Sequence, residues 1–325
     1  MNNAEASPGP EFFIVGQPKS GTTALYEMLI QHPSIYMPTL KEPDYFATDL
    51  RQRFPPRIGG THPQDLQSYM ALFREAHPSQ LAGEASIMYL RSHDAAANLA
   101  EFNPRAKIIA LLREPAQLLR SLHLQLIQTH VENVRDLRAA LELEDERRLG
   151  RRVPPGSHRP QLLLYSEQVC YVEQLDRFYR FFPPEQILVF AYDDFRLDNG
   201  RVVREIFEFL GVDPRHPVKR SSANPSVLLR SQLAELALHR VSIGGGPASS
   251  ALKAGVKAVT PQGFRRRVLG RAYQTLHGAA PPADEKTMAY IRGKYAHEVE
   301  RLSEYLDRDF LALWGYSQRR VTSGT

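Results

Sequence analysis

Short apolar runs, each ending at a turn, alternate along this chain with longer segments of helical spacing. Buried strands are predicted at four such runs: 11–16, 81–86, 107–112 and 187–190. Apolar residues that recur every three or four positions predict helices at 22–32, 65–75, 95–101, 115–130, 167–181, 199–210, 227–240 and 284–306. A regular alternation of strand and helix is typical of a parallel sheet wrapped by helices. The pattern therefore predicts an α/β fold with a central parallel β-sheet flanked by helices.

The turn after the first strand has the composition of a phosphate-binding loop. Its sequence is Gly16-Gln17-Pro18-Lys19-Ser20-Gly21-Thr22-Thr23-Ala24, between the strand and the first helix. Glycines let backbone N–H groups approach an anion, and the helix N-terminus adds unpaired amides and its dipole. A Walker A loop would carry its lysine directly after the second glycine. Here Thr22 stands at that position and the lysine is Lys19, so we expect it beside a 5′ phosphate rather than a distal one.

Charge and composition exclude several classes of protein. The chain has 325 residues, 42% of them hydrophobic, and a formal net charge of +5. This is an ordinary globular composition, and the small positive excess suits a small polyanionic ligand or an acidic acceptor. It does not indicate a nucleic-acid partner, because no recognition helix or aromatic stacking pattern accompanies it.

Cysteine content and hydropathy bear on the compartment. Cys170 is the single cysteine, which excludes an internal disulfide and a cysteine metal cluster and fits a reducing compartment. No run of about 18 apolar residues predicts a membrane span, and residues 1–10 lack the apolar core of a signal peptide. We therefore expect either a cytoplasmic protein with no membrane span or a domain cut from a longer protein.

The distribution of turn-forming residues predicts one domain. We expect a disordered leader at 1–10 and a single domain over 11–320. Within that domain, the charged and proline-rich segment 144–165 and the small, basic segment 241–283 are interpreted as mobile loops that could cover a substrate.

Two motifs resemble those of sulfotransferases that use 3′-phosphoadenosine 5′-phosphosulfate (PAPS). The segment Pro18-Lys19-Ser20-Gly21-Thr22-Thr23 resembles their 5′-phosphosulfate loop, and Leu112-Arg113-Glu114-Pro115, with Ser121 eight residues after the arginine, resembles their 3′-phosphate motif. The resemblance implies the sulfotransferase fold, a P-loop-like nucleotide-binding fold. It also implies donor contacts from Pro18, Lys19, Ser20, Gly21, Thr22, Thr23, Ala24, Arg113 and Ser121, with Arg220 as an additional 3′-phosphate contact.

A third segment resembles the carbohydrate-type branch, which includes heparan sulfate enzymes and bacterial relatives. Lys41-Glu42-Pro43-Asp44-Tyr45-Phe46 is similar to their K-E-x-x-[FY]-F motif, which implies that Glu42 is the catalytic base. The alternatives for the base are Glu84, His123 and His130. Related animal enzymes often carry a catalytic lysine where this chain has Ala85, so a second cation would come from elsewhere. The candidates are Arg91 and Lys41.

Taken together, the resemblance implies transfer of a sulfonate group from PAPS to a hydroxyl of a small-molecule or carbohydrate acceptor. The product nucleotide would be 3′-phosphoadenosine 5′-phosphate (PAP), with Lys19 neutralising the leaving group and no metal ion required. One alternative is a P-loop kinase, which would need a lysine after Gly21 and an acidic strand end for Mg²⁺. The other is a non-catalytic nucleotide- or glycan-binding module on the same fold. The sequence predicts neither the acceptor nor the oligomeric state.

Overall fold

A computed structural model shows five parallel strands in the order β2-β3-β1-β4-β5. It describes residues 9–51, 62–155, 157, 160–219, 227–229, 277–279 and 282–316. The strands are β1 (Phe12–Ile14), β2 (Ile35–Tyr36), β3 (Leu81–Ala85), β4 (Lys107–Leu112) and β5 (Ile187–Ala191). The predicted parallel sheet is confirmed, with the first strand at its centre.

Helices follow the strands as the periodicity predicted. Their bounds are α1 (Thr22–Leu29), α2 (Thr48–Arg51), α3 (Leu66–Met70), α4 (Met88–Arg91), α5 (Ala95–Phe102), α6 (Pro115–Gln128), α7 (Leu137–Glu142), α8 (Glu144–Arg148), α9 (Tyr171–Tyr179), α10 (Tyr192–Leu197), α11 (Asn199–Leu210), α12 (Glu285–Tyr305) and α13 (Phe310–Leu313). Short 3₁₀ helices lie at Ala71–Phe73, Pro160–Leu163, Ser166–Gln168 and Pro184–Gln186. None of the helices in the described ranges is both long and apolar enough to cross a membrane.

The sheet is buried on both faces, which explains its continuous apolar strands. In β4, Ile108, Ala110 and Leu112 join one hydrophobic cluster, whereas Ile109 and Leu111 join the cluster on the opposite face. Alternate residues of a strand point to opposite faces, so a strand covered by helices on both sides has no solvent face. The core therefore lies in two layers, one on each side of the sheet.

The contacts divide the chain into two compact units. The single domain over 11–320 stays a prediction. One unit contains residues 1–224 and 283–325, and the other contains residues 225–282. In the second unit the structure describes β6 (Val227–Leu229), paired antiparallel with β7 (His277–Ala279). The helix predicted from residue 227 is therefore wrong for its first three residues, because a partner distant in sequence overrides local spacing. The rest of that prediction lies outside the described residues.

The segment 144–165, predicted to be a loop, begins with helix α8. Arg147 in this helix forms an ion pair with Glu132 at 2.7 Å, and both side chains are fully buried. The charge-rich sequence was interpreted as a mobile loop, but here one of its charges is paired in the interior. The second predicted mobile segment, 241–283, is described at residues 277–279 and 282–283 alone. Of the predicted leader, residues 9 and 10 are described, and Pro10 is buried.

Candidate active site

Lys19 and Arg113 follow the carboxyl ends of the adjacent strands β1 and β4. The loops after β1, β3 and β4 begin at the same edge of the sheet, since β1 lies between the other two. In open α/β sheets this edge is where ligands bind.

The loop after β1 needs both of its glycines. A Cβ at Gly16 would lie 2.9 Å from the backbone nitrogen of Leu111, so a side chain would push the loop away from β4. Gly21 has a φ of 84°, in the left-handed region, and caps the N-terminus of α1. A Cβ there would lie 3.0 Å from the ring of Tyr192. The loop is therefore held close to β4 and turns directly into the first helix, whose first N–H groups have no partners within the helix.

Lys19 lies within this loop in an unusual backbone conformation. Its φ is 63°, a left-handed value that costs a non-glycine residue of order 1–3 kcal/mol. Burial lowers the pKa of Lys19, and the positive charge of Arg113 lowers it further. The Glu42 carboxylate opposes this by raising the pKa of Lys19, and Lys41 adds a smaller lowering effect. The charges predicted to form the site are thus near enough to act on one another.

Arg113 connects the two predicted phosphate sites directly. Its Nη1 donates to the backbone oxygen of Lys19 at 2.6 Å, and its guanidinium lies 4.7 Å above the ring of Tyr192. Its backbone is also held by two hydrogen bonds. The N–H donates to Gln17 Oε1 at 3.0 Å, and the carbonyl accepts from the Tyr171 hydroxyl at 2.7 Å. Arg113 is therefore fixed at both its backbone and its head group.

The two residues after Arg113 begin helix α6. The Glu114 carboxylate accepts from the backbone N–H groups of Ala116 and Gln117, and Pro115 occupies the first helical position. An acidic N-cap followed by proline is a strong helix start. Ser121 lies about two turns along α6 with its side chain buried.

The C-terminal part of the chain returns to this same corner. The Tyr316 hydroxyl donates to Glu114 Oε1 at 2.9 Å, and Arg292 of α12 contacts the same oxygen at 3.4 Å. Asp193, the residue after Tyr192, accepts a hydrogen bond from the Trp314 indole N–H at 3.0 Å. The segment beyond residue 282 therefore supports the loops that follow β4 and β5.

Glu42 and Lys41 lie beside the loop that contains Lys19. The Glu42 N–H donates to the carbonyl of Ala85 at 3.0 Å, which attaches the segment to the end of β3. Lys41 Nζ donates to Glu42 Oε1 at 3.0 Å and to Thr23 Oγ1 at 2.9 Å. The Glu42 side chain retains 25% of its exposure, so an acceptor from solvent can reach it. Glu42 has a φ of 59°, a second strained residue at this site.

The alternative bases lie in less accessible places. Glu84 on β3 is fully buried and accepts from the Tyr69 hydroxyl at 3.0 Å. Burial raises the pKa of Glu84 to about 7, against the opposing effect of hydrogen bonds from Tyr89, Tyr69 and Ser86. Such a carboxyl, enclosed by tyrosines, contributes to the core rather than facing an acceptor.

The two histidines differ from each other in accessibility. His123 is 2% exposed, its Nδ1 lies 2.9 Å from the Tyr165 hydroxyl, and its Nε2 lies 3.1 Å from the Arg135 carbonyl. Burial lowers the pKa of His123. His130 follows the end of α6, is partly exposed and has a φ of 55°. The structure thus brings Lys19, Glu42 and Arg113 together and encloses Glu84 and His123 in the interior.

Of two further predicted residues, the structure describes Arg91 but not Arg220. Arg91, a candidate for the second cation, is 7% exposed and donates to the Gln161 carbonyl at 2.8 Å and to Glu167. These contacts commit Arg91 to the interior. Arg220, the additional 3′-phosphate candidate, lies outside the described residues. Among the described residues there is no cluster of three or more histidine, cysteine or acidic side chains that could hold a metal ion.

Sequence reasoning missed the residues that hold Arg113 in place. Gln17 and Tyr171 bind its backbone from 96 and 58 residues away in sequence. Gln17 also donates to the Gln168 carbonyl at 3.0 Å, which joins three loops. Neither side chain has a local signal of this role, although Gln17 stands inside the loop motif itself. Tyr192, which directly follows β5, packs against both Gly21 and Arg113.

Comparisons with known proteins agree with this geometry. A family model described as a sulfotransferase domain matches residues 9–226. Human bifunctional heparan sulfate N-deacetylase/N-sulfotransferase 3 is 28% identical over 221 residues, which cover 64% of this chain and 23% of that protein. Mouse carbohydrate sulfotransferase 15 is 29% identical over 150 residues, covering 34% of this chain and 26% of that protein. This chain thus matches about a quarter of the length of these relatives.

A solved structure extends the similarity to the fold. The crystal structure of a sulfotransferase from Alicyclobacillus acidocaldarius aligns with a TM-score of 0.58 and 32% identity. The alignment covers 66% of this chain and 86% of that one. The family match includes the sheet, the loop with Lys19 and the corner with Arg113. The chain therefore belongs to the sulfotransferase domain family.

Proposed function

We propose that this protein is an enzyme that transfers a sulfonate group from PAPS to a hydroxyl of a carbohydrate or small-molecule acceptor. Membership of the family implies PAPS as donor and PAP as product. The observation that carries the proposal is the hydrogen bond from Arg113 Nη1 to the backbone oxygen of Lys19. This bond brings the guanidinium against the loop that contains Lys19, and the Arg113 charge is close enough to lower the pKa of the Lys19 ammonium. Two cations in such proximity support binding of a ligand with separate 5′ and 3′ phosphates.

The donor would lie across the edge formed by β1 and β4. The loop from Pro18 to Ala24 and the first N–H groups of α1 would bind the 5′ phosphosulfate. Arg113 would bind the 3′ phosphate, because a planar guanidinium can donate two parallel hydrogen bonds to phosphate oxygens. Ser121 and Arg220 are proposed as additional contacts with that phosphate.

The chemistry follows from the positions of Glu42 and Lys19. The acceptor oxygen attacks sulfur and forms a new S–O bond, while the bond from sulfur to the bridging oxygen of the 5′ phosphate breaks. Glu42 accepts the hydroxyl proton, and the electron pair of the broken bond remains on the leaving phosphate. Lys19 stabilises that developing charge, and preorganised cations of this kind are often the largest catalytic contribution. General-base assistance contributes about 10²–10⁴-fold. The side chains supply the positive charge, so we propose no metal ion.

The acceptor is proposed to be an aliphatic hydroxyl on a sugar or a glycosylated metabolite. The similarity to proteins named heparan sulfate N-sulfotransferase and carbohydrate sulfotransferase supports a carbohydrate acceptor. The Glu42 side chain is partly exposed at the edge of the site, so a hydroxyl of such an acceptor can approach it from solvent. The cytoplasmic location remains a prediction.

Two measurements test the function. Incubation of the protein with ³⁵S-labelled PAPS and a mixed panel of sugars, phenols and amines should give a labelled product, whose mass identifies the acceptor. Glu42→Ala should lower transfer by about 10²-fold or more while PAP binding is retained. Lys19→Ala should lower both the transfer rate and the affinity for PAP. Glu27→Ala, which removes an exposed carboxylate from α1, is the matched control and should transfer at the wild-type rate.

The possible failures have distinct meanings. If the wild-type protein binds PAP but transfers sulfonate to no acceptor, the binding-module alternative is favoured over catalysis. Equal rates for Glu42→Ala and Glu27→Ala would instead remove Glu42 from the mechanism without affecting the proposed activity.

A further inference from the structure

Lys41 forms the contact between the donor loop and the proposed base. Its ammonium donates to Thr23 Oγ1 at 2.9 Å, in the first turn of α1, and to Glu42 Oε1 at 3.0 Å. An ammonium has three donors. Among the described residues these two oxygens are its hydrogen-bond partners, so one donor remains for a ligand. The side chain is 19% exposed, which leaves its head group accessible.

The Lys41 ammonium brings a positive charge to this side of the site, and its pairing with Glu42 does not by itself account for that charge. At the end of β3, the strand contributes the small residue Ala85 and the buried carboxyl of Glu84, but no positive charge. Glu42 is bound to the Ala85 carbonyl, so Lys41 projects its charge from next to that strand end. Arg91, the other candidate for the second cation, donates its hydrogen bonds to Gln161 and Glu167 in the interior. Among the residues that the structure describes, Lys41 is thus the predicted second cation that lies beside the loop.

We propose that Lys41 is a second catalytic lysine, whose ammonium donates a hydrogen bond to an oxygen of the sulfonate group as that group is transferred. The proposal rests on the sulfonate-transfer function proposed above and assigns its second cation. Lys19 would stabilise the charge on the 5′ phosphate and the bridging oxygen. Lys41 would donate its hydrogen bond to the sulfonate group during transfer.

The contact with Glu42 allows Lys41 to change its main hydrogen-bond partner during the reaction. Before reaction, the Glu42 carboxylate attracts the ammonium and holds it next to Thr23. As the acceptor oxygen bonds to sulfur, its proton passes to Glu42, and the neutral carboxyl attracts the ammonium less. Negative charge grows at the same time on the sulfonate oxygens and the leaving phosphate. The ammonium can then strengthen its bond to the sulfonate at the stage where the charge is largest, which is the condition for lowering the barrier.

The test uses water as the acceptor, so no natural substrate is needed. The 325-residue protein is incubated with PAPS, and the release of PAP and sulfate is followed. The dissociation constant of PAP is measured separately by calorimetry. Lys41→Met should lower the rate of sulfonate loss by about 10²-fold, the usual effect of removing one such donor. The PAP dissociation constant should change by less than about threefold, because PAP has no sulfonate. Lys41→Arg should retain most of the rate, and Lys294→Met, an exposed site on α12, is the matched control.

A double-mutant cycle separates a catalytic role from positioning of Glu42. In a Glu42→Gln background, Lys41→Met should still lower the rate at least tenfold if Lys41 contacts the sulfonate. No further loss in that background would show that Lys41 acts only through Glu42 and would overturn the proposal. A wild-type rate in Lys41→Met, or a PAP affinity that falls as far as the rate, would overturn it as well. If the wild-type protein neither binds PAP nor hydrolyses PAPS, it is the proposed function that fails.

Discussion

Glu84 couples the stability of the sheet to pH, because a carboxyl group enclosed in the core must lose its proton there at neutral pH. The folded-state pKa is raised from 4.5 to about 7, mainly by burial. Between these two pH values the folded protein binds more protons than the unfolded chain, so the free energy of unfolding falls as pH rises. Each pKa unit corresponds to about 1.4 kcal/mol, so the loss amounts to about 3 kcal/mol between pH 4.5 and pH 7.

The substitution Glu84→Gln removes this ionisation and keeps an oxygen that can accept from the Tyr69 hydroxyl. We expect Glu84→Gln to gain about 3 kcal/mol relative to the wild-type protein between pH 4.5 and pH 8, whatever their order at acidic pH. The assay is urea unfolding at several pH values, in which the difference between the two proteins cancels the titration of all other groups. Glu185→Gln, at an exposed position, is the control and should leave the pH profile unchanged. A constant difference between wild type and Glu84→Gln across this range would refute the reasoning.

Two further substitutions test contacts described above. Arg147→Met should destabilise the fold by about 3–5 kcal/mol in urea unfolding, because it leaves the fully buried Glu132 carboxylate without its cation. Adding Glu132→Gln should recover part of the lost stability. An unchanged unfolding midpoint in Arg147→Met would contradict this prediction. Gln17→Leu removes the acceptor for the Arg113 N–H, and we expect PAP affinity to fall about tenfold in calorimetry. Affinity for adenosine 5′-phosphate, which lacks the 3′ phosphate, should change less than about twofold, and an equal loss for both ligands would show a general distortion of the loop.

Local sequence pattern predicted the parts of this fold that depend on local chemistry. A fully buried strand such as β4 must be apolar throughout, and a loop as tight as the one after β1 requires glycine at Gly16 and Gly21. Arg113 was predictable for the same reason, since it directly follows the end of a buried strand. These features can be identified because each depends on a short stretch of chain.

Contacts between distant segments could not be predicted in this way. The charges of Glu132 and Arg147 belong to separate segments, and nothing in either shows that they meet in the interior. The support of Arg113 by Gln17 and Tyr171 likewise depends on packing across the sheet edge. The carbohydrate-like segment suggested Glu42 as base, but the bond from Lys41 to Thr23 became visible only when the loop and that segment were placed together.

The return of the C-terminal segment to Glu114 has a consequence for how the protein can be divided. The family match ends at residue 226, but Tyr316, Arg292 and Trp314 lie well beyond it and bind the corners that follow β4 and β5. A fragment cut at residue 226 would therefore leave the buried Glu114 carboxylate without two of its partners. Residues 283–316 belong to the same compact unit as the sheet, so a fragment that preserves these contacts has to include them, and a boundary set by the family match alone would cut through that unit.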